Sequence, residues 1–151
     1  MIYNTEIKIC LPIEQVIKKI DNVENLKHWQ RGLVSAEHII GAPGALGSKM
    51  KFNYRFGNRS MQVVETITKR NLPNEFHASY DTKGIHSIQE NYFEKTPEGF
   101  TKWVIKCEFL PLNFFMRVMI LVSPNMFRKQ SEKYMKDFKN FVENEISVAN
   151  V

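Results

Sequence analysis

The chain has 151 residues, 43% of them hydrophobic and 25% charged. That is the size and composition of one globular domain over residues 1–151, and it excludes a disordered chain. The formal net charge is +5, but the lysines and arginines are scattered among apolar residues rather than gathered into a stripe. This argues against nucleic acid as a partner and leaves weak contact with anionic membrane surfaces.

The opening "IYNTEIKICL" alternates and predicts a first strand. Pro12 then stands where helices start, and Val16, Ile17 and Ile20 follow at helical spacing. Asp21 or Asn22 can cap a second short helix that ends at Gly32. A run of strands follows. "LVSAEHII" leads through the glycine loop "GAPGALGSKMKF" into "SKMKFNYRF", where Met50, Phe52, Tyr54 and Phe56 share one face. A two-residue turn at Gly57-Asn58 then pairs Tyr54 with Met61, Phe52 with Val63 and Met50 with Glu65, and the apolar faces coincide.

"FHASYDT", "IHSIQENYFEK" and "FTKWVIKCEFL" are three further strands. Closing the last hairpin with Lys95 opposite Phe100 places Tyr92 opposite Trp103, Glu90 opposite Ile105 and Ile88 opposite Cys107. A one-residue slip there would instead turn Ser87, Gln89 and Asn91 inward. From about Leu112 the pattern turns helical, with Pro124 as a kink or a restart capped by Ser123. Beyond it Phe127, Tyr134, Met135, Phe138, Phe141, Val142 and Ile146 form one stripe. The expected fold is α+β: about seven antiparallel strands curved around a long C-terminal helix, with two short helices after the first strand.

Several chemistries have no support. Cys10 and Cys107 are not a disulfide framework, and no Cys/His cluster has zinc spacing, so neither metal nor cofactor is expected. Glu6 and Lys8 interrupt the N-terminal apolar run, which does not read as a signal peptide. Residues 109–122 are too short for a membrane span. The expectation is a cytoplasmic protein, monomer or homodimer. The glycine loop lacks the order GxxxxGK[ST] and leads into a strand, not a helix, so it reads as a strand connection rather than a phosphate cradle.

This order of elements resembles the START-like superfamily, also called SRPBCC or birch-pollen-allergen-like, over essentially the whole chain. The residues that carry the resemblance are "LPIEQVIKKIDNVENLKHW" with its closing Trp29, the glycine loop, "VVETITKRNLPNEF", and the long C-terminal helix. The resemblance implies a helix-grip fold with a cavity for hydrophobic ligands between sheet and helix, and a glycine loop acting as a lip beside its mouth. Some members of that superfamily are polyketide cyclases or aromatases; others bind lipids, sterols or hormones, and some activate a chaperone.

The expected function is therefore binding of a hydrophobic or amphipathic small molecule. Candidate wall residues are Phe52, Tyr54, Phe56, Met61, Tyr80, Tyr92, Trp103, Ile105, Tyr134 and Phe138. Each could equally be core. Phe115 and Met119, in the apolar stretch 109–122, are candidates for a lid; if exposed, that stretch is a partner or membrane patch. Glu65 points inward in the register above, either for a structural role or to meet a ligand. His86 and Glu90 share a strand face and are the sole candidates for acid and base in a cyclase or dehydratase, since no GxSxG or HExxH motif occurs. A third reading is a protein-interaction module acting through residues 112–122.

Overall fold

The computed structural model describes residues 1–150. Its elements follow from the pattern above. β1 (Ile2–Ile9) is followed by α1 (Ile13–Ile20), a 3-10 turn (Val23–Asn25) and α2 (Leu26–Trp29). Pro12 precedes the first turn of α1, and its carbonyl accepts from Gln15 and Val16. Asn22, one of the two expected caps, accepts from the Glu24 amide at 3.0 Å. Gly32, with φ +77°, turns the chain out of α2; a Cβ there would lie 2.7 Å from the Phe56 ring and 2.8 Å from the Arg55 carbonyl.

Six strands follow: β2 (Leu33–Ile40), β3 (Lys49–Phe56), β4 (Arg59–Asn71), β5 (Glu75–Thr82), β6 (Ile85–Lys95) and β7 (Thr101–Pro111). Among the described residues they form, with β1, one seven-stranded sheet in the order β1-β7-β6-β5-β4-β3-β2, antiparallel throughout. The chain thus has the START-like, helix-grip architecture: an open antiparallel sheet, a short helical pair after β1, and C-terminal helices across one face.

The two hairpins read from sequence had different outcomes. β3 and β4 pair as expected, Tyr54 with Met61, Phe52 with Val63 and Met50 with Glu65. β6 and β7 are displaced by one residue: Lys95 pairs with Thr101, Phe93 with Trp103, Asn91 with Ile105 and Gln89 with Cys107. The cause is the turn. Thr96 and Phe100 pair through their backbones at 3.0 Å, which leaves a three-residue loop with Gly99 at φ +85°. That geometry replaces the four-residue turn assumed above, and one residue of difference exchanges the faces.

Residues 112–146 are two helices, not one. α3 (Phe114–Val122) is capped by Asn113, whose side chain accepts from the Met116 amide at 2.9 Å. Pro124 falls in the break, so the restart reading holds, but α4 (Met126–Asn144) begins after Asn125 rather than on a Ser123 cap. α4 is pinned to one side of the sheet. Tyr3 on β1 donates to the Phe127 carbonyl at 3.0 Å and shares a 2.6 Å hydrogen bond with Ser131. Arg31 grips Asp137 with two bonds, of 2.7 and 3.1 Å. Trp29, Trp103 and Phe138 meet edge to face, with centroids 5.1–6.2 Å apart. The buried core gathers there, with Ile9, Ile13, Val16, Phe93, Ile105, Cys107 and Met135 around the aromatic triple.

The core therefore lies under β1, β7 and β6. Phe138 has no exposed surface. Phe138→Ala is expected to lower unfolding free energy by about 3–5 kcal/mol in urea titration, as deletion of a packed aromatic does. Leu121→Ala, on the exposed side of α3, is expected to change it by less than about 0.5 kcal/mol. Similar losses for the two variants would contradict this placement of the core.

Candidate functional site

Because side chains alternate, the pairings assign every strand residue to the helix-facing or the outer face. On the helix-facing side, β3 contributes Met50, Phe52, Tyr54 and Phe56, β4 contributes Met61, Val63, Glu65 and Ile67, and β5 contributes Ala78 and Tyr80. This half of the sheet differs from the β1 half. Met50, Tyr54, Val63, Glu65 and Tyr80 all keep reachable surface, and Phe56 and Met61 are about 40% exposed, at 41% and 38%. Phe52 and Ile67 form the buried floor. From α4, Tyr134 lies near enough to Tyr54 for a charge on its phenol to oppose ionisation of Tyr54.

The polar groups here are few and held. Tyr80 Oη donates to Glu65 Oε2 at 2.9 Å. Tyr54 Oη donates to Gln30 Oε1 at 3.2 Å, across the interior to the residue that ends α2. Burial pushes the Glu65 carboxyl above its ordinary range, and the Tyr80 hydrogen bond offsets part of that rise. Burial likewise raises Tyr54, Tyr80 and Tyr134 above the ordinary phenol range. In Tyr54 and Tyr80 a charge on Glu65 adds to the effect. The result is an aromatic and aliphatic wall carrying one carboxyl that burial makes harder to ionise than an exposed one.

β6 presents the other polar set. Ser87, Gln89 and Asn91 face the helices; Trp103 Nε1 donates to Asn91 Oδ1 at 3.0 Å and Gln89 Nε2 approaches the same oxygen at 3.4 Å. His86, Glu90 and Tyr92 therefore lie on the outer face, which corrects their assignment to the ligand wall. His86 pairs with the exposed Asp81. Tyr92 Oη donates to Glu90 Oε2 at 2.7 Å, which raises the Tyr92 phenol to about 12. Four residues apart on one strand, His86 and Glu90 are separated by roughly 13 Å and cannot work on one substrate atom.

Other expected wall residues are also placed elsewhere. Trp103, Ile105 and Phe138 are sealed in the core at 0–2% exposure and offer no surface to a ligand. Phe115 is 68% exposed on α3, so it is no lid; Met119, one turn further along and about 40° around α3 toward the protein, is half-buried. His38 pairs with Met50 and so lies on the helix-facing side of the edge strand. Of the expected wall, Phe52, Tyr54, Phe56, Met61, Glu65, Tyr80 and Tyr134 remain together. Gln30 joins them unforeseen, since nothing in the sequence links it to a tyrosine on another strand.

The glycine loop, residues 41–48, is folded onto β4. Its amides at Ala45, Gly47 and Ser48 donate to backbone carbonyls. Gly44 packs beside Arg70, which is bonded to Asp21 at 2.9 and 2.6 Å. Those amides are not free for a phosphate. An open groove of about 620 Å³ lies elsewhere, at the end of the sheet between Ile13, Asn71–Glu75 and Tyr92–Lys95. Glu14, Glu75, Glu94 and Lys95 border it, which is the character of a solvated surface. Among the described residues no group of three His, Cys, Asp or Glu side chains could hold a metal ion.

With this geometry in view, the comparisons with known proteins are informative about fold. No family model matches the chain, and no curated protein matches it in sequence. Solved structures match over nearly its whole length. Ara h 8.0201 aligns with a TM-score of 0.72 and 15% identity, covering 94% of this chain and 97% of its own. An uncharacterized protein from Rhizobium leguminosarum aligns at 0.77 and 13%, covering 95% and 94%. DynU16, a protein of the dynemicin biosynthetic locus, aligns at 0.73 and 9%, covering 97% of this chain and 49% of its own. These likenesses establish the START-like fold.

The raised Glu65 carboxyl has a pH signature. Below the ordinary carboxylate value of 4.5 both folded and unfolded chains hold this proton. Above it the unfolded chain releases the proton while the folded chain retains it, so stability falls as pH rises until the folded carboxyl ionises. Glu65→Gln removes that loss. Melting temperatures across pH are expected to coincide for the two proteins in acid and to diverge above the ordinary carboxylate range, with the variant more stable. Parallel curves would show that Glu65 ionises normally in the folded state.

Proposed function

We propose that this chain binds a hydrophobic or amphipathic small molecule in a cavity between the β3–β5 half of the sheet and α4. The observation that carries the reading is the division of the helix-facing surface. One half is packed to completion, whereas in the other Tyr54, Val63, Glu65 and Tyr80 lie deep and still keep reachable surface. An apolar wall with a small number of fixed polar groups is the usual form of a small-molecule site. The START-like fold of Ara h 8.0201 and DynU16 supports the same reading.

The mechanism is burial of apolar ligand surface, with polar groups setting orientation. Covering roughly 300 Å² of ligand would contribute about 7–8 kcal/mol before the costs of ordering. In its protonated form, which burial favours relative to an exposed carboxyl, Glu65 donates a hydrogen bond to a carbonyl or hydroxyl oxygen of the ligand, and Tyr80 fixes the carboxyl in place. The favoured ligand is uncharged, with one oxygen function at its polar end. The cyclase or dehydratase alternative rested on His86 and Glu90, which face outward.

Native mass spectrometry of the chain with a mixed lipid and aromatic-metabolite library is expected to give a discrete adduct. Val63→Trp and Tyr54→Trp, which fill the open half, are expected to abolish it, while Glu65→Leu, which removes the donor, weakens binding by about tenfold. No adduct, or an adduct indifferent to both tryptophans, would overturn the proposal.

A further inference from the structure

α3 is apolar around its whole circumference, "FFMRVMILV" with Arg117 as its one charge. A helix of that kind is ordinarily buried, and this one is not. Met116, Met119 and Ile120 turn toward the protein, where Met116 and the Asn113 cap sit against Gly84 of the β5–β6 turn. Phe114, Phe115, Val118, Leu121 and Val122 are exposed, Phe114 and Leu121 at 81% and 80%. At roughly 100° per residue these five occupy one continuous arc of about 120°. Leu110 and Leu112 just before the helix and Met126 just after the break are exposed as well.

The charges around this stripe have one sign. From Phe109 through Ser131 the sequence contains Arg117, Arg128 and Lys129 and no aspartate or glutamate. Lys83 is exposed in the β5–β6 turn whose Gly84 carbonyl accepts from the Leu112 amide. Acids flank this stretch at Glu108 and Glu132, and Asp81, near the β5–β6 turn, is paired with His86. A second copy of the chain seated on the α3 stripe would set Arg117 and Lys83 against their own kind. An anionic surface with an apolar interior answers both features.

We propose that the exposed face of α3 docks the protein reversibly on membranes containing anionic lipid. α3 lies in the plane of the interface with Phe114, Phe115, Leu121 and Val122 among the acyl chains, and Arg117, Lys83 and Lys129 at the level of the headgroups. Nine residues are too few to cross a bilayer, and among the described residues no helix is long and apolar enough to do so. This docking does not depend on the ligand reading of the interior.

The test is flotation of the full chain with vesicles of phosphatidylcholine alone and of phosphatidylcholine mixed with phosphatidylglycerol. Binding is expected on the mixed vesicles, weakening as salt is raised. The double variant Phe114→Ser/Phe115→Ser is expected to bind at least about tenfold more weakly, and Arg117→Gln about fivefold. Because these side chains are exposed, unfolding midpoints should stay unchanged; should the double variant fail to fold, Leu121→Ser reads the same stripe from its other end. Absence of vesicle binding, equal binding to neutral vesicles, or binding indifferent to both serine variants would overturn the proposal. So would a concentration-dependent dimer in sedimentation that the double variant abolishes, since it would assign the stripe to a second copy.

Discussion

Trp29, Trp103 and Phe138 come from α2, β7 and α4, and their mutual edge-to-face contact decides which part of the sheet is filled. Three aromatic rings at this separation leave no room for α4 to slide. Polar ties on either side reinforce the position. Tyr3 holds the start of α4 to β1, and Arg31 holds its middle to the turn after α2. Asp137 is nearly buried and Arg31 half-exposed, so the carboxylate gains two charge-assisted bonds while the guanidinium keeps its water. With α4 held there, Tyr134 lies near Tyr54 of the β3–β5 half, where Tyr54, Val63, Glu65 and Tyr80 keep partial exposure.

The electrostatics of that open half follow from its position. A carboxyl among methionine, valine and tyrosine side chains has no cation to pair with, and desolvation dominates. Tyr80 is the partner that the geometry supplies, and a phenol can donate to a carboxyl but cannot neutralise it. The outer face of the same sheet works by the opposite rule. There Lys69 meets Glu75, Lys51 meets Glu37 and Asp81 meets His86, all in water, where such pairs are worth little and burial costs nothing. The distribution of polar residues thus separates a solvated face from one that keeps a single carboxyl against an energetic preference for apolar neighbours.

The sequence made one of these faces easy to see and the other hard. On β3 four large apolar residues alternate with Lys49, Lys51, Asn53 and Arg55, and a two-residue turn admits one register. On β6 both faces carry mixed residues: Ile88 and Tyr92 on one, Ile85 and Phe93 on the other. Composition then has no preference, and the decision passes to the turn at Pro97–Gly99. Its loop length depends on the left-handed conformation of Gly99, which the letters do not specify. The error carried His86, Glu90 and Tyr92 to the wrong side together, because in a pleated strand they can move in no other way. Phe138 and Trp103 stayed open between core and wall for a different reason. Size and apolarity are shared by core and wall, and only the lateral position of α4 separates them.

α3 extends the same argument to the outside of the molecule. The break at Pro124 lets residues 114–122 leave the line of α4, and the Asn113 cap starts a new helix against the β5–β6 turn. Had the chain continued as one helix, the apolar residues of this stretch would have been carried along the axis of α4 over the sheet. Separated from it, α3 can bury one side only, and its composition supplies two. Isolated exposed apolar residues need no account, but a continuous stripe bordered by cations is seldom retained on a monomer without a partner surface. The interior and the exterior therefore show one pattern: α4 covers part of the apolar surface the sequence provides, and the uncovered remainder lies in two places, each with its own polar signature. Inside it carries a carboxyl whose ionisation burial opposes, and outside it carries Arg117 with Lys83 in the adjoining turn.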